Sequence, residues 1–153
     1  DVAEHMGSLA AQYNLPPELM RIEITETAYT GESEAVDRLT ADLHTRGFST
    51  YMDDFGTGQS TLAMLKNVNV DVIKLDRTFV PVDGDQGRSA QIVSSMLEMA
   101  QSLHLPIVIE GVETDEQANM LRHMGARCAQ GFLYYRPMPA KDFEALLDGG
   151  NNN

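Results

Sequence analysis

The stretch STYMDDFGTGQS, residues 49–60, poses the question from which the fold follows. An apolar-leaning run of strand type, Phe48 to Met52, ends on two adjacent carboxylates, Asp53 and Asp54. A glycine-bearing turn, Phe55-Gly56-Thr57-Gly58, follows at once, and its glycines allow a sharp reversal. Neighbouring anions repel each other, so the pair needs a partner that relieves it. An Asp-Asp step before a glycine turn is often plain turn chemistry, and the rest of the chain has to decide between the two readings.

Working outward, β-type runs alternate with helical ones. Upstream, MRIEITE at 20–26 alternates as a strand. Residues 34–46 place Val36, Leu39 and Leu43 on one helical face, with Gly47 as the cap. Before them, Val2, Met6, Leu9 and Tyr13 recur at helical spacing until Pro16-Pro17 stops the helix. Downstream, a short helix is expected over 60–66 and a third strand, VDVIKLD, over 70–76. A long helix over 89–103 would turn Ile92, Val93, Met96, Leu97 and Ala100 inward. Pro106 opens the fourth strand, IVIEG. Thr114 and Gln117 form a capping box for a helix through Met124, which Gly125 ends. RCAQGF at 127–132 is the fifth strand, and a last helix spans 140–147.

This alternation predicts an α/β protein with a parallel sheet, either doubly wound or closed into a barrel. The polar residues discriminate. They come late in nearly every strand: Glu23 and Glu26, Asp53 and Asp54, Lys74 and Asp76, Glu110, Gln130. In a (β/α)8 TIM-type barrel all C-terminal strand ends converge on one mouth, so these groups would meet. In an open sheet they would lie along a line. The barrel is therefore the expected fold, here incomplete. Five strands are visible where eight βα units, about 250 residues, are needed. The chain also opens at Asp1 inside a helical pattern. Residues 1–148 are thus expected to be the C-terminal portion of one barrel domain, with about three strands upstream, and 149–153 a flexible tail.

The balance of 23 Asp and Glu against 11 Lys and Arg, a net charge of −12, excludes a nucleic-acid polymer as partner, since that needs a basic footprint. A small anion remains acceptable if metal ions bridge the like charges. One cysteine, Cys128, gives no internal disulfide and fits a reducing compartment, so a cytoplasmic domain is expected. No stretch is apolar enough to span a bilayer, though a longer protein could be anchored upstream.

Paired carboxylates at a barrel mouth suit Mg²⁺ or Mn²⁺, which prefer oxygen ligands. In two-metal phosphoryl-transfer sites the ions sit about 3.5–4 Å apart, and Asp53 and Asp54 could serve as bridging and terminal ligands. Lys74, between Ile73 and Leu75, must point opposite to both; there a lone cation is costly unless anions surround it. Glu110, after Ile107-Val108-Ile109, poses the same problem with the opposite sign. Taken together the strand tips favour a site. His5, His44, His104 and His123 fall away from the tips with no zinc-type spacing. Met96, Met99, Met120 and Met124 read as core, and Cys128 as a small buried apolar residue.

The motifs EITE at 23–26, DDFGTG at 53–58, IKLD at 73–76, EGVE at 110–113 and QGF at 130–132, followed by RPMP, occur in the order found in a known family. From Ala3 to Leu147 the chain resembles the EAL domain, the bacterial phosphodiesterase that linearises cyclic di-GMP. The resemblance implies a barrel with one strand reversed and two Mg²⁺ or Mn²⁺ ions. It implies Glu23, Asp53, Asp54 and Glu110 as metal ligands, with Asp53 bridging. Glu110 would alternatively act on the attacking water, Lys74 would hold that water or the phosphate oxygens, and Gln130 would hydrogen-bond nearby. Glu26 would anchor the 53–58 loop, Asp76 and Glu113 would support, and Pro137-Met138-Pro139 would lie near one guanine. The Glu-Ala-Leu strand and a later asparagine-bearing strand would precede Asp1, and Gln59 replaces a common aromatic. The alternative reading is a non-catalytic module that binds cyclic di-GMP or another protein. The resemblance leaves room for a homodimer and for an upstream sensory or GGDEF domain. The fragment by itself is expected to be inactive and to self-associate through open strand edges.

Overall fold

The computed structural model describes residues 1–31, 33–57, 65, 68–80 and 87–150. The aliphatic runs form five strands: β1 Arg21–Thr25, β2 Ser49–Phe55, β3 Val72–Leu75, β4 Ile107–Ile109 and β5 Cys128–Ala129. All four pairings are parallel, and the strands stand side by side in chain order. That order decides between the two architectures. A doubly wound sheet must reverse direction at a switch point, whereas right-handed crossovers that always step to the next strand leave the helices on one face. The result is five successive units of the (β/α)8 type.

The helices are α1 Val2–Gln12, α2 Glu26–Gly31, α3 Ser33–Thr45, α4 Arg88–Ser102, α5 Asp115–His123 and α6 Ala140–Gly150, with short 3₁₀ turns at Pro17–Leu19 and Arg77–Phe79. The expected helix over 60–66 lies outside the described residues except for Leu65, as do Gly58 and Gln59. Several boundaries moved, and the last helix, expected over 140–147, runs to Gly150 and into the segment expected as a tail. β1 stops at Thr25 because Glu26 already opens α2, and the fifth strand pairs over two residues only. The capping box forms as expected: Thr114 Oγ1 accepts from the Gln117 N–H at 3.2 Å while Gln117 Oε1 accepts from the Thr114 N–H at 3.1 Å.

Side chains alternate across a strand, so register sorts the sheet into two faces. Ile24, Met52, Ile73, Leu75 and Ile109 share the covered face. They pack with Val36 of α3, Val93 and Ala100 of α4, and Ala118 and Leu121 of α5 in one core. Each such buried aliphatic side chain contributes about 1.5–3 kcal/mol. The opposite face carries Glu23, Tyr51, Asp53, Lys74, Val108 and Cys128.

Three sequence expectations are corrected here. Cys128 is exposed, because its face of the two-residue edge strand is covered by none of the described residues. Ile92 is 42% exposed, since α4 turns Val93, one position on, into the core. In α1 the buried stripe is Ala3 and Ala10 with Met6 packed beside them, while Val2 and Tyr13 face water. That helix lies on α3, against Leu43 and Leu39, where small alanines permit close approach of two helices.

At the N-terminal end of the strands, His44 Nε2 lies 2.9 Å from Thr50 Oγ1 and 3.0 Å from Asp71 Oδ2, and Asp71 also accepts from the Thr50 N–H at 2.7 Å. This network ties α3 to the starts of β2 and β3. It sits at the end of the sheet opposite the carboxylates, where polar contacts in such folds serve stability.

Candidate active site

Lys74 organises the C-terminal end of the sheet. Its Nζ lies 2.7 Å from Glu23 Oε1, 2.7 Å from Asp53 Oδ1 and 2.9 Å from Glu110 Oε1. The three carboxylates come from β1, from β2 and from the residue after β4, so strand tips distant in sequence do converge. Lys74 is 6% exposed, which an ammonium tolerates only with partners of this kind. Burial pulls its pKa down, but the hydrogen bonds it donates to Asp53, Glu23 and Glu110 outweigh that, and it ends above the ordinary lysine value. Among these carboxylates alone the group is an ammonium at neutral pH.

Adjacent strand residues normally point to opposite faces, so Asp53 and Asp54 should not serve one site. A break in the β2–β3 register between Met52 and Phe55 resolves this. Asp54 adopts the left-handed conformation, φ +54°, which aspartate tolerates better than most residues. The bulge returns Phe55 to the covered face and swings Asp54 toward Asp53. Carboxylate oxygens of Asp53, Asp54 and Glu110 then lie within 4.8 Å of one another. The sequence carried one hint of this device, an aspartate pair running into a glycine turn.

The other singled-out residues divide. Glu26, 1% exposed, accepts from the Gly56 N–H at 2.7 Å, so α2 holds the loop after β2. Asp76 accepts from the Thr78 N–H at 2.9 Å and caps the 3₁₀ turn; the Thr78 hydroxyl first, then the backbone N–H groups of Thr78 and Arg77, hold its carboxyl below the usual range. Gln130 follows β5, and its backbone N–H donates to Ile109 O at 2.8 Å, which places it beside Glu110. Glu113 is exposed at the start of the capping box, where its N–H donates to Gln117 Oε1. Pro137, Met138 and Pro139 precede α6, and Pro139 O accepts from the first turn of that helix.

The donor set fits hard divalent cations. An octahedral Mg²⁺ spans about 4 Å between opposite oxygen ligands, so oxygens within 4.8 Å close onto an ion with small rotations. Lys74 meets one oxygen of each partner and leaves the other for a cation. Four carboxylates around one ammonium leave three net negative charges, an arrangement that calls for cations.

The comparisons with known proteins point the same way. The EAL domain family matches residues 1–137. The chain is 40% identical over 148 residues to the cyclic di-GMP phosphodiesterase RocR of Pseudomonas aeruginosa, covering 97% of this chain and 38% of RocR. The chain spans less than half the length of such curated relatives. Among solved structures, the EAL domain of Mycobacterium smegmatis DcpA superposes with a TM-score of 0.88 at 34% identity, over 97% of this chain and 66% of that one. Klebsiella pneumoniae BlrP1, in complex with manganese and cyclic di-GMP, gives 0.80 at 35% identity, over 89% and 34%. The chain belongs to the EAL domain family.

Proposed function

We propose that the EAL domain carrying these residues hydrolyses one phosphodiester of cyclic di-GMP, yielding the linear dinucleotide, with two Mg²⁺ or Mn²⁺ ions. The observation that carries this reading is the grouping of Glu23, Asp53 and Glu110, from three strands, around buried Lys74 with Asp54 beside them. Asp53 would serve both ions, and Glu23, Asp54 and Glu110 would complete what this chain offers them. Bound there, two divalent cations would turn three net negative charges into one positive, matching the single charge of a phosphodiester, and would supply an activated water. Lys74 spends its three N–H groups on Glu23, Asp53 and Glu110, and a cation taking over one of these carboxylates would free a donor for that water or a phosphate oxygen. Divalent cations held here would lower the pKa of the attacking water, so its proton would pass to solvent, and Glu110, 17% exposed and the most sheltered of Lys74's three partners, would stay a metal ligand. Gln130, beside Glu110, orients it by hydrogen bonding, Glu26 keeps the 53–57 segment in place, and Asp76 and Glu113 support the loops. Pro137, Met138 and Pro139 are assigned to one guanine.

The test is turnover of cyclic di-GMP in the intact domain, followed by chromatography of the linear product. Asp53→Asn should abolish it, because the amide loses the charge and half the ligating capacity of the bridge. Activity should require Mg²⁺ or Mn²⁺, and the larger, less geometrically strict Ca²⁺ should inhibit. Full turnover in excess chelator refutes the two-metal reading.

A further inference from the structure

The end of β3 is tied to both carboxylate-bearing loops through the backbone. The Asp76 N–H donates to Phe55 O at 3.4 Å, and the Glu110 N–H donates to Leu75 O at 3.0 Å. The chain then makes the 3₁₀ turn Arg77–Phe79, which touches the same loops a second time. Gly56, two residues after Asp54, has φ +95°, and a Cβ there would overlap the Phe79 ring, with Cζ at 2.6 Å. Gly111, directly after Glu110, has φ +75°, and a Cβ there would overlap Arg77 Cβ and lie 3.3 Å from its Cα. Both approaches are closer than any side chain permits, so each loop backbone rests against the turn itself.

The turn is well fixed. Asp76 caps it, the Val80 N–H closes it onto Arg77 O at 3.0 Å, and Val80 is 8% exposed in the core. Phe79 packs against that core as well. A rigid wedge thus sits between the segment carrying Asp53 and Asp54 and the segment carrying Glu110. We propose that the Arg77–Phe79 turn is a positioning element for the metal-holding carboxylates, with Phe79 seating Gly56 beside Asp53 and Asp54, and Arg77 seating Gly111 beside Glu110. The proposal rests on the metal reading of the site. Phe79 acts through its ring. Arg77 acts through its Cα and Cβ, while the residue as a whole is exposed.

That last distinction gives the test its control. Mn²⁺ affinity is measured by the loss of the free-ion spectrum in electron paramagnetic resonance, with kcat and KM for cyclic di-GMP determined in parallel. Phe79→Ala should weaken Mn²⁺ binding about 10–100-fold, the scale of losing a group that orients metal ligands, and Phe79→Leu should restore most of it. Arg77→Ala should bind as wild type does, because it keeps the Cβ, whereas Arg77→Gly should fall with Phe79→Ala. Should Phe79→Ala not fold, the Arg77→Ala and Arg77→Gly pair decides. Wild-type affinity in Phe79→Ala, or equal affinities in the two Arg77 variants, overturns the positioning role. Wild-type protein that binds no Mn²⁺ refutes the metal reading itself and the positioning role with it, an outcome distinct from intact binding in every variant.

Discussion

Replacing Lys74 by methionine keeps the length of the stem and removes the charge. Three carboxylate oxygens at 2.7–2.9 Å then lose their counter-ion. At an effective dielectric of about 20, two carboxylates 4.8 Å apart repel by about 3–4 kcal/mol, and Asp53, Asp54 and Glu110 lie within that distance. Breaking a buried pair costs about 3–5 kcal/mol, but Glu23 is 47% exposed and can turn into water, so the lower end applies, about 3 kcal/mol. For a chain of this size each kcal/mol moves the melting point about 2–4 °C, so Lys74→Met should melt about 6–12 °C lower in chelator. Added Mn²⁺ should recover at least about half of that, since the cations neutralise the carboxylates that Lys74 no longer serves. The Lys74 ammonium repels cations at the neighbouring oxygens, so the variant should gain more from Mn²⁺ than wild type does. Turnover should still fall by more than about 10², because the hydrogen-bond donor is gone. The raised pKa makes the ammonium's contribution complete below the ordinary lysine value and lost only as pH rises through the folded one, so the deficit should be constant across neutral pH. Thermal melts in chelator and in saturating Mn²⁺ suffice. An equal loss in both, or none in chelator, would show that Lys74 does not offset clustered negative charge.

Glu110→Gln should lose more than about 10² in turnover without melting lower, because the amide still accepts from Lys74 while removing one of the crowded charges. A melting point that drops with normal turnover would give Glu110 a structural role. Tyr29, 4% exposed, donates to Asp37 Oδ1 at 2.9 Å, and Tyr29→Phe should cost about 1 kcal/mol in denaturant melts at pH 7. Burial, then the bond to Asp37, pushes this hydroxyl up to about 12, so its contribution is whole below pH about 10 and the gap between wild type and variant should close between 10 and 12. Thr114→Ala should cost about 1 kcal/mol and Thr114→Ser much less; equal losses would deny the capping box its contribution.

Much of this molecule was legible in its residues. Alternating β and helical periodicity, the capping box at Thr114 and the late polar residue of nearly every strand are local features, and they sufficed for an α/β fold with its strand tips gathered. They also singled out Lys74 and Glu110, each ambiguous alone and telling only beside the other polar strand tips. What the residues could not decide depended on neighbours across space. The Asp54 bulge arises where β2 pairs with β3, a register slip that no propensity of residues 49–55 prescribes. The same holds for Glu26, which reads as a strand end yet lies fully buried beneath Gly56. Cys128 and Ile92 read as core because they are apolar, but burial belongs to whatever lies opposite, and both lie exposed. The seats at Gly56 and Gly111 were invisible for the same reason: a glycine announces a turn, and only the packed structure shows which residue stands where its side chain would have been.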